Sequence, residues 1–122
     1  MKHGHAITVA TSAVSERTEK TIQGVVVEEF QLSGNSVKGV KGTEEEKKRY
    51  QDFLISSDFD VIINYAAQIW CTDLAFSVLG EIKAKKVFIP CGYSRLRSSA
   101  YKVYFDTLPV YLKQYDKLVY MC

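Results

Sequence analysis

Three short runs rich in β-branched and apolar residues set what this chain can become. They are Asp60–Tyr65, Lys86–Pro90 and Lys117–Met121. Between the first two, Trp70, Leu74, Val78 and Ile82 recur every four residues, the spacing of a helix with one apolar face. Between the last two, Tyr101, Tyr104, Phe105, Leu108 and Leu112 do the same. Strand starts near 60, 86 and 117 leave room for one crossover helix each, so the pattern predicts βαβαβ with parallel strands and right-handed connections. Ser98 or Ser99 can cap the third helix. Pro109 cannot donate an N–H to an interior turn, which predicts a kink or a restart capped by Thr107.

The first half is less periodic. His5–Thr11 and Gln23–Phe30 read as strands, joined by the polar stretch Ser12–Lys20. Gly34–Gly42 is glycine-rich and reads as a mobile loop. Thr43 with Glu46 forms a capping box, and Glu44, Glu45 and Glu46 ahead of Lys47, Lys48 and Arg49 suit the helix dipole. That helix should run to about Ser57 and bury Tyr50, Phe53 and Leu54. With 122 residues, the chain fits one domain. The fold expected is α/β: a Rossmann-like three-layer sandwich, a mostly parallel sheet with helices on both faces.

Composition narrows the function classes. Lys plus Arg number 16 against 14 Asp plus Glu, a net charge of +2, so no general affinity for nucleic acid follows. No apolar stretch approaches the roughly 18 residues of a membrane span, and the chain opens on no secretory signal. The three cysteines, Cys71, Cys91 and Cys122, form no Cys-x2-Cys pair and fit reduced thiols in a cytosolic protein. His3 and His5 have no carboxylate or thiol alongside, so they read as solvent-exposed and no metal site is expected. Dinucleotide and P-loop fingerprints are absent, and Trp70, Phe76, Tyr101, Tyr104 and Phe105 read as core because of their helical spacing.

In a parallel α/β sheet, ligands sit beyond the carboxyl ends of the strands, here Thr11–Ser12, Asn64–Gln68 and Cys91–Arg97. The last of these admits a specific chemistry. Cys91, five residues, Arg97 and then Ser98, between a strand and a helix, is the arrangement of cysteine-dependent phosphatases. Cys91 would attack as a thiolate while Arg97 and loop amides held the phosphate. Its general acid is the difficulty: Asp106 is nearest and lies inside the predicted helix. A turn with no chemistry, in a stand-alone α/β binding module, is the third reading.

A pattern across nearly the whole chain resembles family 4 glycosyltransferases. Gly4-His5 leading into Ala6–Ser12 is similar to their second strand and its approach. Tyr50, Phe53 and Leu54 followed by Phe59–Ile63 are similar to a helix end and the next strand. Asn64–Gln68 with Thr72-Asp73, then Lys86–Ser94, Ala100-Tyr101 and Tyr115–Val119, resemble the units beyond. In one subgroup the Pro90-Cys91-Gly92 loop belongs to the sugar-transfer enzyme, which accounts for Cys91 without phosphatase chemistry.

The resemblance implies a retaining, metal-independent enzyme of the GT-B fold, with two Rossmann-like domains facing a cleft. The N-terminal domain holds the acceptor (a glycan, a lipid or a small molecule). The C-terminal domain holds the nucleotide-sugar donor; no further cofactor is implied. Matching cleft-facing positions here are Thr11, Ser12, Asn64, Tyr65, Gln68, Cys91, Gly92, Tyr93, Ser94 and Arg95, with no catalytic residue assigned. Asn64 and Gln68 can hydrogen-bond sugar hydroxyls, and Tyr65 or Tyr93 can stack on a ring face. Arg95 and Arg97 could favour a phosphate-bearing substrate.

The resemblance also implies absences. The family's first strand, which lies between the strands matching residues 6–11 and 60–64, has no counterpart here. Neither does the second domain or its pair of donor-site glutamates. Residues 1–122 therefore read as an incomplete acceptor-side domain, inactive alone and prone to self-association. A cytoplasmic location is expected, and membrane-peripheral attachment of a full-length enzyme is compatible with the family, although no basic amphipathic helix marks it here.

Overall fold

A computed structural model describes residues 3–121. The expected strands form, but as separate sheets. β1 (Thr8–Ser12) pairs in parallel with β3 (Val25–Phe30), which takes the two-residue β2 (Thr21–Ile22) antiparallel on its other side. β6 (Val61–Tyr65), β7 (Lys85–Ile89) and β8 (Lys117–Leu118) form a parallel sheet in that order. β8 stops at Leu118, short of the expected Met121, although the Val119 N–H still reaches the Phe88 carbonyl at 2.9 Å.

Gly34–Gly42 is an ordered hairpin rather than a mobile loop: β4 (Ser33–Asn35) pairs with β5 (Gly39–Lys41). Asn35 folds its tip, since its Oδ1 accepts from the amides of Val37 at 3.0 Å and Lys38 at 2.9 Å. Gly34 permits the close approach, because a Cβ there would lie 2.5 Å from the Gly39 carbonyl oxygen.

Three α-helices connect the strands. α1 (Glu44–Ser56) starts as expected, with the Glu46 N–H donating to Thr43 Oγ1 at 3.1 Å. The Glu46 carboxylate turns instead to Arg49, whose guanidinium also lies 4.0 Å over the Phe30 ring. α2 (Trp70–Phe76) is shorter than its apolar periodicity suggests; a 3-10 turn at Leu79–Glu81 carries the chain on to buried Ile82. α3 (Lys102–Leu112) runs through Pro109 without restarting. Thr107 bonds back to the Val103 carbonyl at 2.9 Å rather than capping a new helix. Neither Ser98 nor Ser99 caps α3 with its side chain; a 3-10 turn at Ser99–Tyr101 leads into it.

The buried helical residues and inward-facing strand residues make one cluster, centred on Phe30, Tyr50, Trp70, Phe76, Phe88 and Leu108. Phe30 is fully buried and touches the rings of Tyr50, Phe53 and Trp70. In β6, Ile62 and Asn64 face this cluster while Val61, Ile63 and Tyr65 stay exposed. The α/β class holds; among the described residues the strands lie in three separate sheets, partly parallel, rather than in the one mostly parallel sheet expected.

β1 and β6 do not pair. Between them lies a groove of about 820 Å³, walled by residues 6–12 and 61–65 and floored by Tyr50, Leu54 and Trp70.

Candidate functional site

The loops leaving β6 and β7 lie side by side because their strands are parallel neighbours, paired from Val61–Lys85 to Tyr65–Ile89. The pairing continues past the strands: the Ala66 and Ala67 amides donate to the carbonyls of Ile89 at 2.8 Å and Pro90 at 3.1 Å. Gln68 then clasps the second loop. Its Oε1 accepts from the Ser94 N–H at 2.9 Å and the Ser94 hydroxyl at 3.2 Å, and its Nε2 donates to the Ser94 carbonyl at 2.9 Å.

Both loops store backbone strain. Ala66, Gln68, Cys91 and Arg95 have φ of 72°, 58°, 59° and 58°. Only one other described non-glycine residue, Gln23, has positive φ, so the left-handed conformations concentrate here. Such residues cost of order 1–3 kcal/mol each and persist only where their surroundings over-determine them.

A chain of hydrogen bonds, part-buried at Tyr104 and exposed at Ser36, supports the first loop. The Gln68 N–H donates to the Tyr104 hydroxyl at 3.1 Å, which donates to Asp73 Oδ1 at 3.1 Å. Asp73 Oδ2 accepts from the Ser36 N–H at 2.9 Å and its hydroxyl at 3.1 Å, tying the β4–β5 hairpin to the site. Burial raises the Asp73 carboxyl above its ordinary range despite these bonds, and burial with the Asp73 charge raises the Tyr104 phenol. Sequence reasoning placed Tyr104 in the core and missed this chain. The Asn35-Ser36 turn signal ahead of Gly39 was the available clue.

The other expected positions separate into groups. Tyr65 is exposed, and the neighbouring Cys91 thiol raises its phenol. Cys91, Gly92, Ser94 and Arg95 are exposed. Tyr93 is half-buried edge-on to Phe105, and burial pushes its phenol up to about 12. Thr11 and Ser12 line the groove. Ser12 also holds the core together, since its hydroxyl accepts from the Trp70 indole at 2.9 Å and donates to the Leu32 carbonyl at 2.7 Å. Asn64 departs from expectation. It is 4% exposed and its Oδ1 accepts from the Tyr115 hydroxyl at 2.8 Å, so that oxygen is spent on the core, although Asn64 also borders the groove.

The Cys91–Ser98 loop does not make a phosphate cradle. The Ser94 N–H is spent on Gln68 and the Ser98 N–H on the Arg95 carbonyl at 3.0 Å. The Cys91 thiol points to the Ile89 carbonyl at 3.4 Å, and α3 begins only at Lys102. Arg97 borders a separate 250 Å³ depression with Lys102 and Asp106, which pair with each other.

His3 and His5 are exposed, and no group of three or more His, Cys, Asp or Glu side chains is placed to hold a metal among the described residues. Cys71 and Cys91 are free thiols; Cys122 lies outside the described residues. No helix among the described residues is long and apolar enough to cross a membrane. Comparison with protein-family profiles, curated proteins and solved structures finds no match to this chain.

Proposed function

We propose that this chain forms the acceptor side of the cleft in a retaining glycosyltransferase of the GT-B class, binding a glycan, lipid or small-molecule acceptor. The observation that carries the reading is the clasped pair of strained loops at the carboxyl ends of β6 and β7. Such loops are where parallel α/β sheets hold ligands. Here they present a ring face, a thiol and a cation together, from Tyr65, Cys91 and Arg95. An exposed tyrosine ring beside hydrogen-bonding backbone suits a sugar, with one apolar face and a rim of hydroxyls. The groove between β1 and β6 occupies the position the family resemblance gives to a further strand, in keeping with a fuller three-layer domain. In the family it resembles, the nucleotide-sugar is held chiefly by the other domain of the cleft, so the reading assigns this segment the acceptor alone.

The test is an NMR titration of the chain with methyl glycosides and glycosyl phosphates. Amide shifts confined to residues 65–68 and 91–95 are expected. Shifts nowhere in that panel sink the reading, as does phosphate-ester hydrolysis that Cys91→Ser abolishes.

A further inference from the structure

The two left-handed residues of the first loop are braced from the helices behind them, one by its carbonyl and one by its amide. The Ala66 carbonyl accepts from the hydroxyl of fully buried Thr72 at 2.7 Å. The Gln68 N–H donates to the Tyr104 hydroxyl at 3.1 Å. A tyrosine hydroxyl has one proton to give. Asp73 Oδ1 takes that proton at 3.1 Å, which turns it away from the Gln68 amide and leaves a lone pair for the amide to use. Thr72 and Asp73 are adjacent in α2, so one turn of helix sets both strained positions.

Asp73 uses its second oxygen elsewhere. Oδ2 accepts from the Ser36 N–H at 2.9 Å and the Ser36 hydroxyl at 3.1 Å, at the tip of the β4–β5 hairpin. The ion pairs of the described residues leave Asp73 out, so hydrogen bonds alone set the plane of its carboxylate. An asparagine here would have one acceptor oxygen and could accept from one side only. The hairpin tip has few other anchors. Asn35 Nδ2 reaches the Tyr101 hydroxyl at 3.4 Å, and Val37 and Val40 pack half-buried on the core. Ser36, Lys38, Gly39 and Lys41 are exposed.

We propose that Asp73, acting through Tyr104, is a positioning residue that makes the Gln68–Ser94 clasp depend on whether the β4–β5 hairpin tip is docked. With the tip docked, Ser36 fixes the carboxylate through Oδ2, and the fixed plane aims Oδ1 at Tyr104. With the tip released, the carboxylate turns to water, Tyr104 loses its acceptor, and Gln68 loses the amide bond that offsets its left-handed backbone. The coupling is reciprocal: whatever tightens the two loops also holds the hairpin down. This gives the candidate site a control element on a separate sheet. It rests on the geometry of the loops and not on their ligand, so it stands or falls apart from the sugar-binding reading.

The experiment is amide hydrogen exchange on the parent chain, Ser36→Ala, Tyr104→Phe and the double variant, with the amides of the β6–β7 ladder as the reference for global opening. Ser36→Ala removes one hairpin bond from an exposed residue. It should speed exchange at Ser94 about threefold while the ladder amides keep their rates. In the Tyr104→Phe background the same substitution should leave the Ser94 rate unchanged. Asp73→Asn should expose either the Ser36 amide or the Gln68 amide, because one acceptor oxygen cannot hold both partners. Should Tyr104→Phe fail to fold, Asp73→Asn takes its place in the cycle, with the same expectation. An unchanged Ser94 rate in Ser36→Ala overturns the inference, as does an equal effect in both backgrounds. So does full protection of both amides in Asp73→Asn, or a ladder that speeds up as much as Ser94, which would make the effect one of global stability.

Discussion

Replacing Gln68 separates what its side chain contributes from what its backbone costs. Gln68→Ala removes three hydrogen bonds to Ser94, at 2.9, 3.2 and 2.9 Å, and leaves a left-handed residue at φ 58°. Each bond nets about 0.5–1.5 kcal/mol when its groups stay dry, but the exposed Ser94 side of the clasp rehydrates. The expected loss is therefore about 1–2 kcal/mol, at the low end of the sum. Gln68→Gly loses the same bonds but relieves a left-handed conformation that costs an L-residue about 1–2 kcal/mol. Part of that gain is given back as unfolded-chain entropy, so the glycine variant should be about 1 kcal/mol more stable than the alanine variant. Ser94→Ala deletes only the hydroxyl bond, keeps both main-chain bonds and should be nearly neutral. Urea unfolding resolves these steps: with a slope near ~2 kcal/mol/M, 1 kcal/mol moves the midpoint by about 0.5 M. Amide exchange at Ser94 reports the local opening. An alanine variant as stable as the parent would refute the clasp as the device that holds the two loops, and a glycine variant less stable than alanine would refute the strain argument at Gln68.

Three further perturbations probe the framework. Phe30→Ala empties a fully buried site among three aromatic rings and should cost about 3–5 kcal/mol, seen as loss or steep lowering of the thermal transition by circular dichroism. Ser12→Ala leaves the Trp70 indole N–H and the Leu32 carbonyl unpaired, for about 1–3 kcal/mol; emission from the single tryptophan follows the change. Asp73 has its folded pKa raised by burial, so the stability linked to it is fully present below the ordinary carboxylate pKa and is lost as pH rises through the folded value. The stability of the parent minus that of Asp73→Asn should accordingly fall with rising pH across mildly acid conditions. A difference that rises instead contradicts the burial argument.

The strands and helices of the second half, and the Thr43 cap in the first, were legible because their signals are local: β-branched runs, four-residue apolar repeats and a cap all act within a few positions. What was not legible depends on distant partners. Alternation in β6 sorts Val61, Ile63 and Tyr65 from Ile62 and Asn64, but not which set faces inward; the Tyr115 hydroxyl, 51 residues on, gives Asn64 its buried partner. A glycine-rich stretch reads as mobile until Gly34 is seen to admit the Gly39 carbonyl and Asn35 to fold the tip. Pro109 removes one helical donor, a loss α3 tolerates while Tyr104 and Leu108 anchor it in the core. Of the expected site, the carboxyl-end position of the loops followed from parallel βαβ spacing. The clasp did not, since nothing local relates Gln68 to Ser94.

The strained loops and the groove are not independent. Tyr65 ends the open edge of β6, and Ala66, next in the chain, is the first left-handed residue of the loop. A segment paired along Val61–Tyr65 would fix the main chain one residue before that strain begins. Gln68 and the Asp73–Tyr104 pair fix it from the other side. Filling the groove should then slow exchange at Ser94 as well as at Ile63, although Ser94 does not line the groove. If Gln68→Ala releases Ser94 from that effect while Ile63 stays protected, the clasp transmits it. Equal protection of Ser94 in parent and variant would mean that the two regions respond separately.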